Sequence, residues 1–179
     1  MDIITTPRLR LRCWAETDRD WFASMHAEAE VMHDYGGPIS RLQSDAKLDR
    51  YVLAYREHGF SRFVVETLDG GCVGYAGIMP SRPGHALGPH IEIGWRLTRQ
   101  AWGQGYATEA ARATLNDAFM RVGLTEVVAY TAADNMRSQA VMNRLRLMRD
   151  PSRDFITDYD GTKEWRGLVW VGRRSVHNS

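Results

Sequence analysis

Apolar and polar positions alternate with period two over residues 8–13, predicting a half-buried strand with Leu9, Leu11 and Cys13 inward and the arginines on a solvated face. From Thr17 the period lengthens. Trp21, Phe22, Met25 and Ala29 fall on one side of a helix whose positive end suits Asp18 and Asp20. Gly36-Gly37-Pro38 interrupts the chain. Ser40 with Gln43 then has the form of a capping box for a second helix, carrying Leu48, Tyr51, Val52 and Tyr55 and closed by Gly59. Residues 62–67 and 72–78 read as antiparallel strands joined by a hairpin turn at Asp69-Gly70-Gly71. Residues 90–97 form another strand, with Ile91, Ile93, Trp95 and Leu97 on one face and His90, Glu92, Gly94 and Arg96 on the other. The longest helical pattern runs from about Gly105 to Arg121 and ends near Gly123. A short buried strand at 127–130, a short helix at 135–147, and late strands near 154–159 and 165–173 around an Asp160-Gly161 turn complete the order. The expectation is one α+β domain spanning residues 1–179, with a mixed, mostly antiparallel central sheet flanked by helices.

Composition narrows the function classes. The 179 residues are 44% hydrophobic and 25% charged, enough for one substantial core and unlike a disordered chain. No apolar run is long enough to span a membrane, and the first residues lack a signal-peptide pattern, so a cytoplasmic protein is expected. Lys and Arg total 23 against 22 Asp and Glu, a balance that argues against a nucleic-acid partner. Cys13 and Cys72 read as buried thiols, and His85 and His90 lack the spacing of metal ligands, so no metal is expected.

The most informative segment is Arg99-Gln100-Ala101-Trp102-Gly103-Gln104-Gly105-Tyr106-Ala107, between a strand and an alanine-rich helix. Glycines there allow a tight turn, and the helix start behind it offers unpaired N–H groups and the positive end of a dipole, which together suit a diphosphate. The segment lacks Gly-Lys-Ser/Thr and the dinucleotide fingerprint G-x-G-x-x-G, which removes a P-loop and a Rossmann site. By spacing alone, a plain strand-to-helix connection explains it equally well.

The order of strand, Gln100-x-x-Gly103-x-Gly105, alanine-rich helix, strand, Asn135 and short helix resembles the GNAT acyltransferase superfamily. Within it, Thr6-Pro7-Arg8-Leu9-Arg10-Leu11-Arg12, Ile91-Glu92-Ile93-Gly94-Trp95, Asn135 with Ser138, and Arg149-Asp150-Pro151 are similar to the N-terminal alanine and serine acetyltransferases of ribosomal proteins. The resemblance implies acetyl-CoA as donor, an amine as acceptor, and central strands splayed around the pantetheine arm. It further implies that the backbone from Gln100 through Gly103, Gln104, Gly105 and Tyr106 to Ala107 holds the pyrophosphate. Asn135 would hydrogen-bond the arm, and a backbone N–H near Ile93 or Gly94 would polarise the thioester carbonyl.

An ammonium must lose a proton before it attacks a thioester, and Glu92, on the polar face of the central strand, is the base that the resemblance implies; by pattern alone an exposed strand carboxylate explains it better. Burial beside Trp95 or Tyr75 would raise its pKa. Glu109 is explained by the helix dipole and a contact with Arg112, and His85 and His90 by a surface loop, with a proton-relay or acceptor-binding role as their alternative. Many GNAT enzymes carry a tyrosine where this chain has Met142, so Ser138 is the candidate to assist the leaving thiolate, its alternative being a local helix cap. Arg146 stands where the family usually has glycine; it either strains a left-handed cap, shifts the helix end, or joins Arg137, Arg144 and Arg149 in a basic rim. Trp14, Trp21, His33, Tyr35, Trp95 and Tyr159 suit an acceptor pocket or core packing alike. The acceptor implied is a peptide N-terminus, with a small amine as the alternative. A catalytically silent acetyl-CoA-binding domain is the reading from a different class, and the chain is expected as monomer or homodimer.

Overall fold

The computed structural model describes residues 2–158 and 164–174. Nine strands form the sheet: β1 (Asp2–Thr5), β2 (Leu9–Arg12), β3 (Arg62–Thr67), β4 (Cys72–Pro80), β5 (Ile91–Leu97), β6 (Glu126–Thr131), β7 (Met148–Arg149), β8 (Phe155–Asp158) and β9 (Glu164–Arg173). Helices α1 (Arg19–His26) and α2 (Arg41–His58) precede β3, α3 (Tyr106–Met120) links β5 to β6, and α4 (Met136–Arg144) follows β6. The strand order is β1-β2-β3-β4-β5-β6-β9-β7, with β8 also on β9. Every pairing is antiparallel except β5 with β6. The α+β class and mostly antiparallel sheet agree with the pattern of the sequence. The Asp160-Gly161 turn and Tyr159 lie outside the described residues.

Local chemistry accounts for the element ends. Ser40 and Gln43 make both halves of a capping box on α2, and Gly59 closes it at φ +72°. The β5–α3–β6 connection is the long crossover that a parallel pair requires. Leu9 and Leu11 are buried as the alternation predicts, but Arg12 is not on a solvated face. Its guanidinium is largely buried and bridges Asp18 and Glu66 at 2.7 Å each. Burial of that carboxylate pair favours a cation between them, which alternation alone does not reveal.

Apolar residues from the helices pack on both faces of the sheet. Phe22, Met25, Leu48 and Tyr51 of α1 and α2 pack on Tyr75 and Met79. Ala111 and Ala118 of α3 and Val141, Met142 and Leu145 from the α4 region pack on Ile78, Ile93, Val127 and Ala129. Met142 is thus a core residue, which explains why no hydroxyl is needed there for folding.

Helix α4 ends at Arg144, and Arg146 adopts φ +59°. The Arg146 N–H donates to the Asn143 carbonyl and the Leu147 N–H to that of Met142, the two bonds of a Schellman motif. The left-handed cap is therefore kept with a side chain on it, and the helix end is not moved around the arginine. Arg146→Gly should raise stability by about 1 kcal/mol, the cost of holding an L-residue in this region. Reversible denaturation with urea checks this; an unchanged midpoint counts against strain at this position.

Candidate active site

The β5–β6 junction makes the site. Parallel strands ordinarily pair along their lengths, yet here register is limited to Glu92 opposite Val128. Beyond it β5 stays paired to β4 up to Leu97, and β6 stays paired to β9 up to Thr131. The two strands splay, so the edge of β5 from Ile93 onward has no β6 partner. A groove of about 1470 Å³ lies along this opening. It is lined by Trp95, Arg96 and Leu97 of β5, the turn from Ala101 to Gly105, the first turns of α3, and the α4 segment from Asp134 to Val141.

At the turn, Gly103 and Gly105 have φ +78° and +80°, the left-handed region that a strand needs to reverse into this helix. No side chain caps α3 at Gly105, which leaves the amides of its first turn available to an anion. Arg8 fixes the turn from outside. Its guanidinium donates to the Gln104 carbonyl at 3.0 Å, lies 4.8 Å from the Tyr106 ring centroid, and pairs with Glu109 at 2.6 Å. The Thr6 hydroxyl also donates to Glu109 at 2.6 Å. Glu109 therefore anchors Thr6-Pro7-Arg8 to the turn, where the sequence reading had paired it with Arg112; Arg112 donates instead to the Arg144 carbonyl.

Of the donor residues expected from sequence, Gly103, Gly105, Tyr106, Ala107 and Asn135 line the groove, together with Ser138. Gln100 and Gln104 border a smaller hollow of about 450 Å³ beside Trp21 and Cys72, and Gln104 donates to the Gln100 carbonyl. The Gln104 side chain thus braces the turn through the Gln100 backbone. Ile93, 2% exposed, belongs to the core, and neither it nor Gly94 lines the groove.

The side chain of Asn135 accepts from the Ser138 N–H at 3.1 Å, so Asn135 is the cap of α4 and Ser138 is not. Asn135 also donates to Asp34 at 3.4 Å, and Asp34 pairs with Arg96 at 2.7 Å. Arg137 does reach the donor groove, its guanidinium 3.8 Å from the Trp102 ring centroid. Arg149 does not join that rim; it pairs with Asp154 at 2.6 Å and stacks on Trp170.

Glu92 lies on the α1–α2 side of the sheet. The Arg62 guanidinium reaches it at 2.7 Å, leaving the Glu92 side chain 20% exposed. Arg62, Gly77 and Gly94 stand in one row across β3, β4 and β5. Two glycines in that row let the long side chain lie across the sheet: a Cβ on Gly94 would sit 2.7 Å from the Arg62 guanidinium carbon. Burial pushes the Glu92 carboxyl pKa up, but Arg62, with a hydrogen bond from Tyr130, outweighs it and holds the group below its ordinary value. The expected rise beside Trp95 or Tyr75 is reversed, because the sequence shows burial without the cation that offsets it. Trp95 packs on the opposite face.

His85 and His90 are not a solvated loop. Their ring centroids are 4.7 Å apart, and His85 also packs on Tyr130 and Phe155. Trp14 and Tyr35 face the α1–α2 core: Trp14 donates to the Arg62 carbonyl at 2.7 Å, and Tyr35 sits under Lys47. Trp21 borders the smaller hollow and His33 the donor groove. Among the described residues no group of three His, Cys, Asp or Glu side chains is placed to hold a metal. No helix among them is long and apolar enough to cross a membrane.

The splayed pair, the glycine turn at an uncapped helix start and the intervening groove form one arrangement that matches a known family. The acetyltransferase (GNAT) domain matches residues 8–148. The chain belongs to this family. As a GNAT-fold acetyltransferase it uses acetyl-CoA, and the groove and amide cradle fit that donor. An acetyltransferase from Agrobacterium tumefaciens is similar over 97% of this chain and 95% of its own, with TM-score 0.82 and 26% identity. At 14% identity the same fold recurs in two enzymes of different substrate. One, from Salmonella typhimurium, modifies the N-terminal serine of ribosomal protein L7/L12 (TM-score 0.76, 95% and 97% covered). The other is a Vibrio cholerae spermidine N-acetyltransferase in complex with CoA and spermine (TM-score 0.74, 94% and 96% covered). The fold is thus shared by protein and polyamine acetyltransferases, and the narrower ribosomal-protein likeness does not select the acceptor of this GNAT chain.

Proposed function

We propose that this GNAT chain transfers acetyl from acetyl-CoA directly to a primary amine, with Glu92 receiving the ammonium proton. The observation that carries the reading is Glu92 at the one register position where β5 and β6 meet, on the edge of the opening that continues into the donor groove. Its carboxylate is ionised at neutral pH beside Arg62, hence ready to accept a proton directly or through water. The free amine attacks the thioester carbonyl carbon. A C–N bond forms, the C–S bond breaks, and the sulfur leaves as thiolate to be protonated. The unpaired edge of β5 offers backbone N–H groups to the developing oxyanion, and Ser138 on the groove wall is the proposed partner of the sulfur. The acceptor is a peptide N-terminus or a small amine. Incubating the chain with acetyl-CoA and a mixed amine and peptide panel, with mass detection of products, tests the reading; a donor that binds without any acetylated product defeats it.

The two groove residues on α4 are expected to separate. Asn135→Ala removes the cap and the contact with Asp34, so it should weaken donor binding and lower stability by about 1 kcal/mol. Ser138→Ala leaves the Asn135 cap intact, because that bond uses the Ser138 backbone, and should slow the chemical step with stability unchanged. Single-turnover kinetics at saturating acetyl-CoA, beside melting curves, measure both; an unchanged chemical rate in the serine variant assigns thiolate protonation to water.

A further inference from the structure

Glu92 does not line the donor groove, and on the α1–α2 face of β5 that carries it the charges are unequal. Glu92, Gly94 and Arg96 follow one another along the strand. Arg62 pairs with Glu92 and Arg96 with Asp34, each at 2.7 Å, which uses both carboxylates. Helix α2 adds Lys47 and Arg50 on the same side, and neither has a carboxylate within ion-pair distance among the described residues. The Lys47 ammonium lies 4.4 Å from the Tyr35 ring centroid and 6.0 Å from that of Tyr75, whose hydroxyl is its hydrogen-bond partner. Burial lowers the Arg50 pKa, and nearby Arg82 and Arg62 lower it further, opposed by Tyr51 and Glu92. The buried Nε of Arg62 has no hydrogen-bond partner. A surplus of cations in a partly desolvated place is unfavourable unless an anion joins them.

We propose that the acceptor is an amine that also bears an anionic group, a carboxylate or a phosphate, held by Arg50 and Arg62 while its nitrogen lies beside Glu92. The inference rests on the acetyl-transfer reading above and narrows it. The anion fills the charge deficit, and the same cations disfavour the ammonium form of the nitrogen, which eases its deprotonation. The overall step balances: an ammonium and acetyl-CoA give the amide, CoA thiol and one proton released through Glu92 to solvent. A polyamine, bringing further positive charge to this wall, is excluded by the same argument.

The test uses the full chain with acetyl-CoA and four acceptor series: ω-amino acids of graded length, their uncharged amides, ω-aminoalkyl phosphates, and spermidine. The best anionic acceptor should exceed its matched amide at least about tenfold in kcat/KM, the size of one charge-assisted contact, with spermidine poorest. Carboxylate and phosphate series ranked against each other identify the anion. Arg50→Gln should reduce the anionic-to-amide ratio about tenfold, chiefly through KM, and Arg50→Lys should restore part of it. Calorimetry of acetyl-CoA binding runs in parallel. Donor binding with equal use of amides and anions, or a preference for spermidine, overturns the anionic-acceptor inference and leaves acetyl transfer standing. Donor binding with no acetylation in any series overturns both.

Discussion

Glu92→Gln is expected to lower kcat by about 10²- to 10⁴-fold while acetyl-CoA affinity stays unchanged. The substitution keeps shape and hydrogen bonding and removes proton affinity. Because Arg62 holds the Glu92 carboxyl below its ordinary pKa, the wild-type base is already ionised well below neutrality. The rate between pH 6 and 9 should therefore follow deprotonation of the amine rather than titration of Glu92. The pair also has a linkage consequence. Glu92 is a group with a depressed folded pKa, so its stabilisation is present above the unfolded carboxyl pKa and is lost as pH falls through the folded one. Glu92→Gln leaves Arg62 without its counter-charge and should cost about 2 kcal/mol, a buried-pair value reduced for Glu92's partial exposure. Adding Arg62→Gln should recover stability without recovering turnover. A pH–rate profile with melting curves on the single and double variants decides it; near-normal kcat for Glu92→Gln at neutral pH moves the proton acceptor elsewhere, first to His90 or an ordered water.

Gly105→Val should weaken acetyl-CoA binding by one to two orders of magnitude, about 1.4–2.8 kcal/mol. Two effects combine. A β-branched residue at φ +80° is a strained outlier, and its side chain would project beside Arg8, 3.5 Å from the position of a Cβ, at the mouth of the amide cradle. Gly123→Val provides the comparison, since Gly123 has φ +81° with nothing within 4 Å of a Cβ and lies outside the groove. Both variants should lose stability from backbone strain, but only the first should lose donor affinity. Calorimetry on the two folded proteins measures this, and equal affinities would show that the turn does not hold the diphosphate.

Most of the fold was legible because its signals are local. The Ser40–Gln43 box, the glycine helix ends and the period-two strands each depend on neighbours within a few residues. The strands β1 and β7 escaped notice, being short and held by pairing rather than by pattern. The glycine turn was equally legible as a turn, since Gly103, Gly105, Tyr106 and Ala107 fall within five positions, and the structure puts all four on the groove wall. The acceptor side was not. Arg62 meets Glu92 only through the registers of β3 with β4 and β4 with β5, and a row of glycines that opens its path. Glu92 was found as a residue, but the direction of its pKa shift depends on a partner 30 positions away. Arg146 shows the converse case: the sequence posed the strain question, and φ +59° answers it.

The single register contact between β5 and β6 has a mechanical meaning. Strands β1 to β5 form one plate and β6 to β9 another, and Glu92 opposite Val128 is the rung that joins them. For two plates meeting at a rung, a change of tilt displaces points in proportion to their distance from it. Trp95 and Leu97 on one plate and Thr131 on the other, farther along the opening, would travel most. Were the plates to tilt about that rung, the proposed proton acceptor Glu92 would be the group displaced least.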